Sequence, residues 1–180
     1  MLLKEEVQIG EDETTGELWD RLKVIGAKLL VETVKKIEDG TITRSPQPED
    51  GTMAPMLSKE IAKINWEDQS AKEIKNLVRG LNPIMGAYSY LNDKKIKFWK
   101  VQVLTEQELL DKFKDLQEYK GHLKGIQAGT VLFSDDKNGL FIKANDGILQ
   151  VLEIQGENSK KMSINDFLRG NKIDIGNIFE

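Results

Sequence analysis

Cysteine is absent from the 180 residues. That excludes disulfides and thiolate chemistry and makes a cytosolic protein the natural expectation. Histidine occurs once, as His122 in Tyr119-Lys120-Gly121-His122-Leu123, with no second histidine nearby. A zinc or iron site is not expected from so few ligands, and His122 reads as a loop residue without a chemical role. No apolar run reaches the roughly 18 residues of a membrane-spanning helix. Residues 1–6 have too short an apolar core for a signal peptide and turn acidic at once. Gly-x-Gly-x-x-Gly, phosphate-loop Gly-Lys-Ser/Thr and Gly-x-Ser-x-Gly sequences are all missing. The acidic runs Glu11-Asp12-Glu13 and Asp135-Asp136 sit beside turn residues and read as solvated turn carboxylates rather than an acid–base pair. No catalytic constellation is visible.

What is present is ordinary for a globular protein: 39% hydrophobic and 31% charged residues. The net charge of −4 is the wrong sign for a protein that holds nucleic acid by general electrostatics. RNA contact would therefore need a local basic surface on an acidic background.

Residues 2–9 alternate as a short strand. A strong helix follows, opened by the capping-box pair Thr14 and Glu17 and carried by Leu18, Leu22, Ile25, Leu29 and Val34, with Gly40 as its stop. Residues 41–63 contain Pro46, Pro48 and Pro55 and read as an extended linker. Ser70 and Glu73 form a second capping box, ahead of a helix through Ile74, Leu77, Val78 and Leu81 that ends before Asn82-Pro83.

From Ala87 the period becomes two. Tyr88-Ser89-Tyr90-Leu91, the turn Asn92-Asp93 and the run from Lys95 to Val101 read as a hairpin. Alternation puts Ile96 and Phe98 on one face and Lys95, Lys97 and Trp99 on the other. Residues 105–120 read as a charged helix with Leu109, Phe113 and Leu116 on a narrow stripe. Strands are expected at 129–133, 140–144 and 148–155, separated by the turn sequences Asp136-Lys137-Asn138-Gly139 and Asn145-Asp146-Gly147. A short helix from Ser163 to Leu168 and a loose tail close the chain. The expected fold is α+β: a residual α/β strand–helix piece (1–40), a linker (41–63), and an OB-like antiparallel β-barrel (64–180).

The one pattern that points to binding is Lys94, Lys95, Lys97 and Lys100 interleaved with Phe98 and Trp99. Ammonium groups beside aromatic rings on a sheet can hold phosphates and stacked bases. Solvated lysines over a buried aromatic core explain the same pattern equally well. Lys160-Lys161, close in sequence to Arg169 and Lys172, forms a second basic stretch.

An ordered series of segments resembles the methionyl-tRNA formyltransferase family. Gly16-Glu17-Leu18-Trp19-Asp20-Arg21-Leu22 and Gly26-Ala27-Lys28-Leu29-Leu30 are similar to the last helix region of the family's catalytic domain. Ala54-Pro55-Met56-Leu57-Ser58-Lys59-Glu60 and Ile64-Asn65-Trp66 resemble its linker, and Arg79-Gly80-Leu81-Asn82-Pro83 with Gly86-Ala87 resembles the entry to its C-terminal barrel. Gly129-Thr130-Val131-Leu132, Gly147-Ile148-Leu149, Lys160-Lys161-Met162-Ser163 and Asp166-Phe167-Leu168-Arg169-Gly170 follow in order. The resemblance covers nearly the whole chain. Ile84-Met85 departs from it, where many members have Trp-Pro, and residues 105–120 look like an insertion.

The resemblance implies an enzyme that moves a formyl group from 10-formyltetrahydrofolate to the amino group of initiator methionyl-tRNA. The family's catalytic Asn, His and Asp lie in an N-terminal doubly wound domain with no counterpart here. No catalytic or folate-binding residue is therefore carried over, and the chain alone is expected to be inactive and not to bind the folate. tRNA contact is expected at Lys59, Lys63, Lys95, Lys97, Trp99, Lys160 and Lys161. The expected partners are initiator tRNA and the missing catalytic domain, with no membrane and no metal. Two alternatives compete: the C-terminal domain of a sugar-nucleotide formyltransferase or formyltetrahydrofolate dehydrogenase, and an interaction module without an RNA role, which the net charge favours.

Overall fold

The computed structural model describes residues 1–113 and 123–180. His122 and the later part of the expected charged helix, with Leu116, lie outside them. The chain divides into two compact units, Met1–Leu57 and Ser58–Glu180.

In the first unit, α1 (Thr15–Glu38) begins where the capping box places it. The Glu17 N–H donates to Thr14 Oγ1 (3.3 Å), and the Thr14 N–H donates to Glu17 Oε2 (2.8 Å). Arg21 donates to both carboxylate oxygens of Glu13 (2.9 and 2.8 Å) and to the Gln8 carbonyl (2.7 Å), fixing the entering chain on the first turns. Gly40, at φ +67, follows the helix end. Residues 2–9 are not a strand. Alternation gives a segment two faces but not a partner, and a strand needs a neighbouring ladder. Instead one pairing ties the segment's start: Met1 N donates to Ser45 O (2.8 Å), and Ser45 N to Met1 O (3.0 Å). No residue of α1 is buried, and Trp19, Leu22, Val24, Leu30, Val31, Val34 and Ile37 are exposed.

The second unit mixes helices with an antiparallel sheet. Its first helix, α2 (Ala71–Gly80), has the expected Ser70–Glu73 capping box and buries Ala71, Ile74 and Val78. β1 (Ala87–Leu91) and β2 (Lys94–Leu104) form the hairpin, with Asn92 and Asp93 at φ +49 and +62. Two successive positive φ values give a turn whose twist matches the strands. α3 (Glu106–Lys112) is capped by Thr105 and buries Leu109 and Leu110. β3 (Val131–Asp135), β4 (Gly139–Lys143), β5 (Ile148–Gln155), the two-residue β6 (Met162–Ser163) and α4 (Ile164–Gly170) follow.

The strand order is β1-β2-β5-β4-β3, with β6 beside β5 and every pairing antiparallel. The ladder does not close, because β1 and β3 are its two ends. The expected loose tail is in fact bonded to both of them. Tyr90 and Glu180 exchange backbone hydrogen bonds (2.9 Å each), Phe179 N donates to Gly129 O (2.9 Å), and Val131 N donates to Asn177 O (2.8 Å). Phe179 thereby enters the core against Trp66 and Phe98, at ring distances of 6.0 and 5.5 Å. A second cluster joins α3 to the sheet: Phe113 stacks on Phe133 at 4.3 Å and meets Phe141 edge-on at 5.1 Å.

Candidate nucleic-acid interface

Four of the seven expected contact residues converge on one face of the hairpin. The register sets Tyr88 opposite Lys97 and Tyr90 opposite Lys95. Residues i and i+2 share a strand face, so the two tyrosines and the two lysines lie together. Lys63 arrives from the preceding segment, where it bridges Tyr88 and where the Ile64 N–H donates to the Tyr88 carbonyl (2.8 Å). That segment is anchored by burying Ala62, Ile64 and Trp66 in alternation, which leaves Lys63 exposed. Lys59, also exposed, adds like charge to Lys95.

Aromatic rings, not carboxylates, support Lys63, Lys95 and Lys97. The Lys95 ammonium lies 3.5 Å from the Tyr88 ring centroid, Lys63 lies 5.7 Å from Tyr90, and Lys97 lies 5.7 Å from Trp99. A ring face attracts a cation while leaving its N–H donors available. Lys59, Lys63, Lys95 and Lys97 form no salt bridge among the described residues. Burial, then Lys97, then Lys59, hold the Lys95 ammonium below the ordinary lysine pKa. Three cations near one another without a counter-ion suit an anion with several oxygens.

Trp99 keeps the face that strand alternation gives it, with Lys97 over its ring, but it is buried there rather than open to solvent. The β2–β5 register shifts between Phe98 and Lys100, and Trp99, beside that shift, is 9% exposed. Its indole N–H donates to Gln155 Oε1 (3.0 Å), and Asn82 Nδ2 donates to its carbonyl (2.8 Å). Gly86, at φ +68, lets the ring approach; a Cβ there would stand 3.1 Å from it. Trp99 is therefore a floor under lysines, since Lys161 lies 5.8 Å from the same ring. Lys161 also pairs with Glu153 at 2.7 Å. Lys160 is exposed and makes no ring contact or ion pair among the described residues. The rest of the second basic stretch is neutralised locally, Arg169 by Asp166 (2.7 Å) and Lys172 by Asp174 (2.8 Å).

Sequence reading missed Tyr88, Tyr90, Gln155 and Glu153. The tyrosines carried a usable signal: a two-residue turn at Asn92-Asp93 fixes the register that faces them with Lys97 and Lys95.

Other titratable groups serve local structure. Asp135 accepts from the N–H groups of Lys137 (2.8 Å) and Asn138 within its turn. Burial raises the Asp135 pKa, but the hydrogen bonds outweigh it and hold the carboxyl below its ordinary value. Lys143 is buried, and its ammonium donates to the carbonyls of Ala144 and Asn145 in the next turn. Burial lowers its pKa against the opposing charges of Asp146 and Glu106. Asp146 in turn accepts from the Ala71 N–H at the start of α2 (2.7 Å). Among the described residues no group of three or more metal-binding side chains occurs, and no helix is long and apolar enough to cross a membrane.

Residues 56–172 match the family model described as "Formyl transferase, C-terminal domain", and the chain belongs to that family. Its curated relatives carry a particular name. The methionyl-tRNA formyltransferase of Ruminiclostridium cellulolyticum is 37% identical over 98% of this chain and 52% of its own length. That of Alkaliphilus oremlandii is 40% identical over 99% of this chain and 52% of its own. The chain thus spans about half the length of these relatives, their C-terminal half. Among solved structures, a variant of HypX from Aquifex aeolicus superposes with a TM-score of 0.60 at 17% identity, covering 94% of this chain and 30% of HypX. HypX in complex with tetrahydrofolic acid gives 0.53 at 19% identity, covering 83% and 26%. At such identities the likeness is one of fold.

Proposed function

We propose that this chain is the C-terminal portion of a methionyl-tRNA formyltransferase and that its hairpin face binds initiator methionyl-tRNA. The observation that carries the binding role is the cluster of Lys59, Lys63, Lys95 and Lys97, the last three supported by rings and all four without a salt bridge among the described residues. Phosphate contacts of this kind position an RNA without reading its sequence. Trp99 acts by holding Lys97 and Lys161, and Lys160 is a peripheral contact.

We read residues 1–40 as the end of a catalytic domain, 41–63 as a linker whose last residues are already packed, and 64–180 as an OB-like barrel. The hydrogen bonds of residues 177–180 to both ends of the sheet support the barrel reading. The uncovered apolar face of α1 supports the first, since an amphipathic helix in a domain buries its stripe. In this reading the rest of the catalytic domain is the chain's other partner, and the setting is the cytoplasm. The formyl donor, 10-formyltetrahydrofolate, and the transfer chemistry belong to the other half of the enzyme. This chain alone is inactive.

The test is a salt titration of initiator tRNA binding. With about 0.7–0.9 counterions released per phosphate contact, replacing all four lysines by alanine lowers the slope of log K against log salt by about 3. Failure of the chain to bind at low salt, or an unchanged slope in the variant, refutes the RNA role. Formyl transfer to methionyl-tRNA by the purified chain refutes the claim of inactivity.

A further inference from the structure

Lys161 differs from the other lysines around these rings. It shares the Trp99 ring with Lys97, at 5.8 and 5.7 Å, yet it alone of that pair is held by a carboxylate. Glu153 stands on β5 opposite Lys100 of β2 and Ser163 of β6, two residues before Gln155, which pairs with Lys97. The Glu153 side chain is 37% exposed and that of Lys161 46%. An ion pair so open to water is weak and exchangeable.

A phosphate that takes Lys161 must displace the Glu153 carboxylate paired with it at 2.7 Å, and like charges in an interface oppose binding. An RNA already seated on several other lysines can overcome that repulsion and take Lys161 from Glu153. A polyanion held only by diffuse attraction cannot. We propose that Glu153 is a specificity-determining residue: it keeps Lys161 occupied and penalises RNAs that do not fit the rest of the face. The inference rests on the RNA-binding reading above.

The experiment measures binding of the full chain to two probes across a range of salt: initiator tRNA and an RNA duplex of unrelated sequence. Glu153→Gln keeps the shape and removes the charge. The duplex is expected to bind about threefold tighter at low salt, with a salt slope steeper by about 0.7–0.9. Initiator tRNA gains less, so the ratio between the two probes narrows. Adding Lys161→Ala to Glu153→Gln removes the gain. An unchanged or weaker duplex affinity in Glu153→Gln, or a gain that survives Lys161→Ala, overturns the role of Glu153 while leaving RNA binding intact. Absence of binding by the unaltered chain at low salt overturns the RNA reading, and this inference with it.

Discussion

Replacing Gly129 by alanine tests whether the C-terminal residues hold the sheet together. Gly129 has φ +88, a region that costs an L-residue about 1–2 kcal/mol. Its new Cβ would also collide with the Phe179 carbonyl oxygen and stand 3.3 Å from Trp66. Because the colliding atom is backbone, no rotamer change relieves the clash. The relief available is release of the tail. That exposes the Phe179 ring, worth about 1.5–3 kcal/mol, and gives up the hydrogen bonds to Gly129 and Tyr90, at about 1 kcal/mol each. Regained backbone freedom offsets about 1 kcal/mol or more per released residue. The tail term is then about 1–2 kcal/mol net, and the whole substitution costs about 2–4 kcal/mol. Urea denaturation measures it, with the same substitution repeated in a chain truncated after Gly176. Without the tail the collision is gone, and Gly129→Ala should cost only the backbone strain. Equal cost in both backgrounds refutes the clash and the role given to Phe179.

Two further predictions concern single side chains. Ser70→Ala removes the hydroxyl that accepts the Glu73 N–H at 3.2 Å, and should lower stability by about 1 kcal/mol in urea denaturation. Lys95 gives a pH signature. Its pKa is lowered in the free chain, and a bound phosphate favours the charged form and raises it again. The Lys95 contribution to tRNA affinity is therefore complete below the free-state pKa and lost as pH rises through it, starting below the ordinary lysine value of about 10.4. Lys95→Arg, which does not titrate in this range, should flatten that decline, and identical profiles for the two proteins contradict the assignment.

Much of the fold was legible because its signals are local. The two capping boxes at Thr14–Glu17 and Ser70–Glu73, and the Asn92-Asp93 turn, each lie within four residues and formed as read. The errors share a different character. Residues 2–9 alternate like a strand, but strand formation depends on a distant partner. The tail after Asn171 looks featureless, yet Asn177, Phe179 and Glu180 are seated by Val131, Gly129 and Tyr90, far away in sequence. The burial of Trp99 depends on Gly86 and Gln155, distant in sequence, and nothing in Lys97-Phe98-Trp99-Lys100 marks it or the register shift beside it. For the candidate site, alternation found Lys95 and Lys97 but could not find Glu153, whose pairing with Lys161 is set by β6 lying beside β5.

The net charge of −4 points away from RNA, and the proposed RNA role requires that a sum over the sequence miss a local cationic surface. Many of the carboxylates are committed elsewhere. Glu17, Glu73 and Glu108 close capping boxes, where they also meet the positive end of a helix. Asp135 organises a turn, Asp146 accepts from the Ala71 N–H and Asp166 from the Ser163 hydroxyl at helix starts, and Glu32, Asp20 and Asp174 neutralise neighbouring lysines. These roles are local and short-ranged, and salt screens their reach to about 8–10 Å. The potential over the hairpin face is then set by Lys63, Lys95 and Lys97, whose neighbours are rings rather than acids, together with Lys59, which lies next to Glu60. An acidic chain can present a cationic surface wherever its acids are bound to its own backbone, and Glu153 departs from this pattern by pairing with Lys161 at that surface.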